Sequence, residues 1–255
     1  QVLSSAASDV YKRQVYAMTA QDELMMKTPD ALLNGQSVVN VIQSCLPNIK
    51  NAWQIPSIDV DAILIAVRIA TYGEKMEIET RVPSAGTERK FDLDLRQLLD
   101  RYQSVKYENM LEVGEMKITL RPQTYQEYTR TATKTFEEQR IAQVVQDTEM
   151  DEGEKLQRFS ASFQKLTAIT VDMVVNGIVS VQVGDEVVTN NQHLADFVKN
   201  ADKSFFTAIT EHMTSQKKKF DVEPFKVTTT AEEQEQGAPK EFEVPITFDQ
   251  SNFFA

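Results

Sequence analysis

The sequence predicts an α+β protein of mixed architecture, with helices interleaved with several short β-hairpins and no Rossmann or barrel signature. Three observations carry that prediction. A helix apolar around Ala62 to Val67 gives way directly to period-2 alternation over 75–82. Two more pairs of short alternating runs meet at Gly114-Glu115 and Gly184-Asp185. Between those pairs lie two long stretches with helical periodicity.

The elements follow in order. Thr28-Pro29-Asp30 has the form of a helix start: an N-cap hydroxyl, a proline at the first helical position, then an acid facing the positive dipole end. After Gly35, Val38, Val39, Ile42, Cys45 and Leu46 recur at helical spacing as far as Pro47. The loop 48–56 holds the only tryptophan, Trp53. Ser57 is placed to cap a second helix with Asp59 and Asp61 in its first turn. The body of that helix is apolar on nearly every side, so it reads as buried and central, ending at Tyr72-Gly73.

Residues 75–82 place Met76, Ile78 and Thr80 in one row, Pro83-Ser84-Ala85-Gly86 is turn chemistry, and 90–93 returns as the partner strand. A short helix over 94–102 and a second hairpin over 107–120 come next. Thr124-Tyr125-Gln126-Glu127 is a capping box that opens a helix to about residue 150. Thr129, Thr131, Thr133 and Thr135 alternate against that reading, as a strand would. Leu156, Phe159, Phe163, Leu166, Thr170 and Met173, spaced by threes and fours, form a heptad seam that Asn176-Gly177 stops. A third hairpin spans 178–189, and Asp202 caps a last helix with Phe205, Phe206, Ile209 and Met213 inside.

From 225 onward there are six acidic residues and two lysines, with Glu232 to Gly237 at the centre reading as a flexible linker. Beyond it, Phe242 to Phe248 and the pair Phe253-Phe254 are too apolar for a free tail, and are expected to dock on this chain or on a partner. The N-terminal QVLSSAASDVYKRQ resembles a translated adaptor or assembly scar and lacks the apolar region of a signal peptide. The expected divisions are therefore 1–17 as a foreign, disordered N-terminus, 18–122 as an α+β domain, and 123–224 as a helical region with a hairpin. The remainder, 225–255, is an acidic linker and aromatic docking segment. No repeat of 20–50 residues is present.

Composition excludes several classes. The chain has 255 residues, 27 Lys plus Arg against 38 Asp plus Glu, and a formal charge of −11. That balance repels phosphates and argues against general nucleic-acid or anionic-membrane binding. The longest apolar run, Ala62 to Val67, is far short of the roughly 20 residues of a spanning helix. One cysteine forbids an internal disulfide, and with two histidines it leaves little from which to build a structural zinc site.

No catalytic constellation emerges. None of the eight glycines falls in a GxGxxG or GxxxxGK[ST] spacing, and no GxSxG is present. Cys45 is a nucleophile only if a histidine lies beside it; its place on an apolar helix face reads as a small buried hydrophobe. His193 and His212 read as a helix-start and a helix-surface residue, and Asp59 and Asp61 as complements to a helix dipole. Arg68 interrupts an apolar helix, either as a snorkelling edge residue or as a part-buried guanidinium tied to a neighbouring hairpin or partner. Lys217-Lys218-Lys219 suits a helix C-terminus. No cofactor and no metal is expected.

The block from Lys27 to Glu79 resembles the baseplate-protein family of T-even-type, contractile-tailed bacteriophages. The resemblance rests on Thr28-Pro29, Cys45 with Ile49-Lys50, Pro56 through Leu64, and Arg68-Ile69-Ala70-Thr71-Tyr72-Gly73, in that order. Leu93 to Leu99, LDLRQLL, continues it, so that it covers about 27–102. Some relatives carry paired cysteines in the following hairpin; residues 81–90 have none, so no metal knuckle is implied.

The resemblance implies a non-enzymatic baseplate hub subunit or hub assembly protein. Its partners would be other hub proteins, in the host cytoplasm during assembly and in the virion tail baseplate if it is a structural subunit. The competing reading is an intracellular adaptor or regulatory domain unrelated to phage. The residues expected to bind partners are Arg68, Tyr72, Phe159, Phe163, Phe248, Phe253 and Phe254, with oligomeric state left open.

Overall fold

The computed structural model describes residues 14–27, 35–147, 151–246 and 254. Helix α1 (Ala20–Met26) opens on a capping box in which Thr19 and Asp22 satisfy each other's backbone amides. Helix α2 (Gln36–Cys45) starts from Gly35, whose φ of 75° only glycine adopts without strain. Helix α3 (Val60–Tyr72) ends at Gly73. It is preceded by a 3-10 turn at Ser57–Asp59, so Asp59, not Ser57, holds the N-cap position. The helix start expected at Thr28-Pro29 lies outside the described residues.

Ala62, Ile63, Leu64, Ile65 and Val67 on α3 are all buried, as the sequence predicts. Each large one contributes about 1.5–3 kcal/mol by leaving water. They meet Val38, Val39, Val41, Ile42 and Cys45 of α2, and together anchor the first core. Residues 14–17, set aside as foreign and disordered, also meet it: Val15 packs on the core and the Tyr16 N–H donates to Cys45 O at 2.9 Å.

Strands β1 (Lys75–Arg81) and β2 (Glu88–Asp94) form the expected hairpin, antiparallel with Met76 opposite Leu93 and Ile78 opposite Phe91. Helix α4 (Leu95–Ser104) buries Leu95, Leu99 and Tyr102 on the same core. Strands β3 (Met110–Val113) and β4 (Met116–Leu120) follow, then the long helices α5 (Tyr125–Asp147) and α6 (Glu152–Gly177). The threonine alternation in α5 does not make a strand. After α6 come β5 (Ile178–Val183) and β6 (Glu186–Val188).

The second and third hairpins are one sheet. β4 pairs with β5, giving the order β3-β4-β5-β6, with Ile118 opposite Val181 and Leu120 opposite Ile178. Helix α7 (Asn191–Asn200) and helix α8 (Lys203–Lys218) cover this sheet in a second core of Ile118, Leu120, Val174, Ile178, Leu194 and Ile209. The sequence reading placed only His193 at a helix start here; α7 buries just Leu194 and Val198, too few to show a period.

The segment read as a linker is ordered. Strands β7 (Phe225–Thr228) and β8 (Glu241–Val244) pair, and helix α9 (Ala231–Glu235) lies between them. Among the acids that suggested disorder, Glu233 closes a capping box with Thr230. Thr230 N–H donates to Glu233 Oε2 at 2.7 Å, and Glu233 N–H to Thr230 Oγ1 at 3.3 Å. Glu233 is buried and pairs with Arg89 at 3.3 Å.

Candidate protein-contact surfaces

Helices α5 and α6 form a hairpin inserted between the central strands β4 and β5. The 26 residues of α6 span about 39 Å at 1.5 Å per residue. Its base is closed by Arg121. The Arg121 N–H donates to Gly177 O at 2.9 Å, and its guanidinium holds Glu127 through two bonds of 2.8 and 2.6 Å. Glu127 in turn caps α5 by accepting from Thr124 N–H at 2.8 Å. Burial works against the Glu127 carboxylate, yet Arg121 and the Thr124 amide hold it below the ordinary glutamate range.

Farther out, the contact between the helices is polar. Ser162 donates to Glu138 Oε2 and Lys165 to Glu138 Oε1, both at 2.9 Å, and Ser162 and Glu138 are buried. Over its outer part the shielded positions of α6 are Lys155, Ser162, Leu166 and Ile169, and nearer the base Val171, Met173, Val174 and Val175 join the second core. The heptad seam is therefore in the wrong rotational phase at its outer end. Phe163 directly follows Ser162, so it lies about 100° round the helix and is 64% exposed; Leu156 is 71% and Phe159 44% exposed. On α5, Phe136 lies two residues before Glu138, nearly opposite it, and is 62% exposed. A soluble helix normally turns such side chains inward. Here they form outward apolar faces on a hairpin whose helices meet through the polar cluster of Glu138, Ser162 and Lys165.

The other expected contact residues lie elsewhere. Arg68 is 7% exposed, its guanidinium 5.2 Å from the Tyr72 ring centroid, which fits the part-buried reading and not the snorkelling one. Burial pushes its pKa down, against the pull of Tyr72. Tyr72 is half-exposed, and its hydroxyl donates to Phe254 O at 3.4 Å. Phe254 is buried in the first core, so the aromatic end docks on its own chain at this residue. Phe248 and Phe253 lie outside the described residues. The structure brings Arg68, Tyr72 and Phe254 together and keeps Phe159 and Phe163 apart from them on the hairpin.

The chemistry-bearing residues do not converge. Burial, and then Asp22, push the Cys45 thiol up to about 11, which leaves it a poor nucleophile. It lies in the first core, whereas His193 and His212 are on α7 and α8 over the second. His212 bonds Glu108 O at 2.8 Å. Among the described residues, no group of three His, Cys, Asp or Glu side chains is placed to hold a metal ion, and no helix is long and apolar enough to cross a membrane.

The chain is a mixed α+β body carrying a long helical hairpin with outward aromatics. A family model described as T4 bacteriophage base plate protein matches residues 9–243, and the chain belongs to that family. It is thus a phage baseplate protein, which displaces the reading of a cellular adaptor unrelated to phage. No curated protein and no solved structure matches the chain.

Proposed function

We propose that the protein is a baseplate hub subunit or hub assembly factor, without catalytic activity, that works through protein–protein contacts in contractile-tail morphogenesis. The observation that carries this is the α5–α6 hairpin, which turns Phe136, Leu156, Phe159 and Phe163 to the outside around a seam of Ser162, Glu138 and Lys165. Apolar area left uncovered in the free chain contributes to binding when a partner covers it, and aromatic anchors dominate such contacts. Baseplate membership implies that those partners are other baseplate proteins; the meeting place in this proposal is the host cytoplasm during assembly.

Mass spectrometry of purified virions and of infected-cell lysate tests the two roles. Peptides at a fixed ratio to hub proteins in the virion identify a structural subunit. Peptides in lysate but not in virions identify an assembly factor that leaves. Peptides in virions with no association to hub components in either sample overturn the hub reading.

A further inference from the structure

The bare stripe on α6 has a symmetry of its own. Leu156, Phe159, Phe163 and Leu166 follow at spacings of three, four and three, so the row Leu-Phe-Phe-Leu reads the same from either end. The first three are each between 44% and 71% exposed, and Leu166 is half-buried at the edge of the hairpin seam. Along the outer flank of the row lie Gly153, Ser160 and Thr167, all exposed, small and uncharged. The bare stretch ends at Thr170, beyond which Val171, Val174 and Val175 enter the second core.

That symmetry selects the occupant. A palindromic row meets a second copy of itself about a two-fold axis, where residue i faces j and j faces i. In an antiparallel pair centred on Ala161, Phe159 of one copy faces Phe163 of the other, and Leu156 faces Leu166. This is the knobs-into-holes layering of a coiled coil, with the apolar positions of one helix set against those of the next. No like charges oppose each other in this register: Glu154 falls opposite Ala168, Arg158 opposite Gln164, and Lys165 opposite Gln157.

Area and charge set the strength and the direction. An aromatic side chain buries about 150–250 Å², so the three exposed residues offer roughly 300 Å² of apolar area per copy. With their flanks they bring the pair toward the roughly 1,200 Å² at the low end of specific interfaces. Such a pair forms at high concentration and dissociates on dilution. The chain carries a net charge of −11, which opposes setting two copies side by side. Antiparallel packing separates the two Thr170 positions by about 27 Å along the axis, against a screening length of about 8 Å.

We propose that the chain forms a two-fold dimer in which the α6 helices of two copies pack antiparallel through Leu156, Phe159, Phe163 and Leu166. The proposal rests on the proposed function only in sharing its face, which a hub component covers once the copies separate.

Sedimentation equilibrium of the full chain from about 1 μM to 1 mM should show a monomer passing to a dimer. Phe159→Ser/Phe163→Ser should weaken the dimer at least about tenfold. Ser160→Glu keeps both aromatics, sets like charges beside the axis and should weaken it as well. Melting of the dilute variants, each a monomer there, checks that they fold. At high concentration a short bismaleimide should cross-link Ser160→Cys into dimers, since the two positions flank the axis and native Cys45 is buried. It should leave Thr167→Cys unlinked, because in the antiparallel pair those positions lie about 18 Å apart along the axis.

A chain that is monomeric throughout overturns the dimer and leaves the face to a hub component alone. A dimer unchanged in both variants overturns the assigned face. Equal cross-linking at Ser160→Cys and Thr167→Cys overturns the antiparallel pair, because only a parallel one brings both together. Every measurement uses the isolated chain, so each failure leaves the hub reading standing, and a failed virion and lysate test leaves the dimer standing.

Discussion

Ser162 donates to Glu138 Oε2 at 2.9 Å midway along the helical hairpin, where a heptad seam would place an apolar pair. Lys165 shares the same carboxylate, and these two bonds hold Glu138 below the ordinary glutamate range, first through Lys165. A carboxylate lowered by folding stabilises the fold fully above its unfolded pKa, about 4.3, and loses that contribution as pH falls through the lower folded value. The outer hairpin should therefore lose amide-exchange protection below about pH 4. Glu138→Gln should remove that pH step.

Asp59 predicts the opposite sign. Burial raises its carboxyl to about 7, and Asp59 Oδ2 is buried without a hydrogen-bond partner. Its contribution is complete below the unfolded value of about 3.9 and disappears as pH rises through about 7. Asp59→Asn should match the parent's melting temperature near pH 4 and exceed it at pH 8, about one unit above the folded value.

Gly35 combines a backbone requirement with a close approach. Its φ is 75°, and an added Cβ would lie 3.1 Å from Tyr125 Oη and 3.2 Å from Thr129. Gly35→Ala should cost about 1–2 kcal/mol for the left-handed backbone alone. The measurement is a shift of the urea midpoint at unchanged slope.

Phe254 is 1% exposed within the first core. Phe254→Ala should cost about 3–5 kcal/mol, with a matching fall in melting temperature. A segment that docked only on a partner would leave the isolated chain's melting temperature unchanged.

Much of this fold is legible in the sequence where local chemistry decides. The apolar run of α3, the turn at 83–86 and the Thr124–Glu127 capping box each appear as read. What is not legible depends on partners distant in sequence. The pairing of Ile118 with Val181 makes one sheet of two hairpins, and no local signal encodes it. At Glu233, an acid-rich composition masks the local Thr230–Glu233 capping box, and only its ion pair with Arg89, far away in the chain, has no local signal.

The outward aromatics show the limit most clearly. Phe159 and Phe163 fit a heptad template because the template counts apolar spacing, whereas the facing seam is set by Glu138 meeting Ser162 and Lys165. The small hydroxyl of Ser162 beside a basic residue three positions on was the available signal.

In the proposed function, the hairpin face that carries Phe159 and Phe163 binds other baseplate proteins. Its most direct test is complementation of a phage lacking this gene with Phe159→Ser/Phe163→Ser. The isolated variant should melt as the parent does, since both side chains are largely exposed. In infected cells it should fail to associate with hub components, and finished tails should be missing from electron micrographs. Normal tails and a parental titre from the folded variant would contradict the claim.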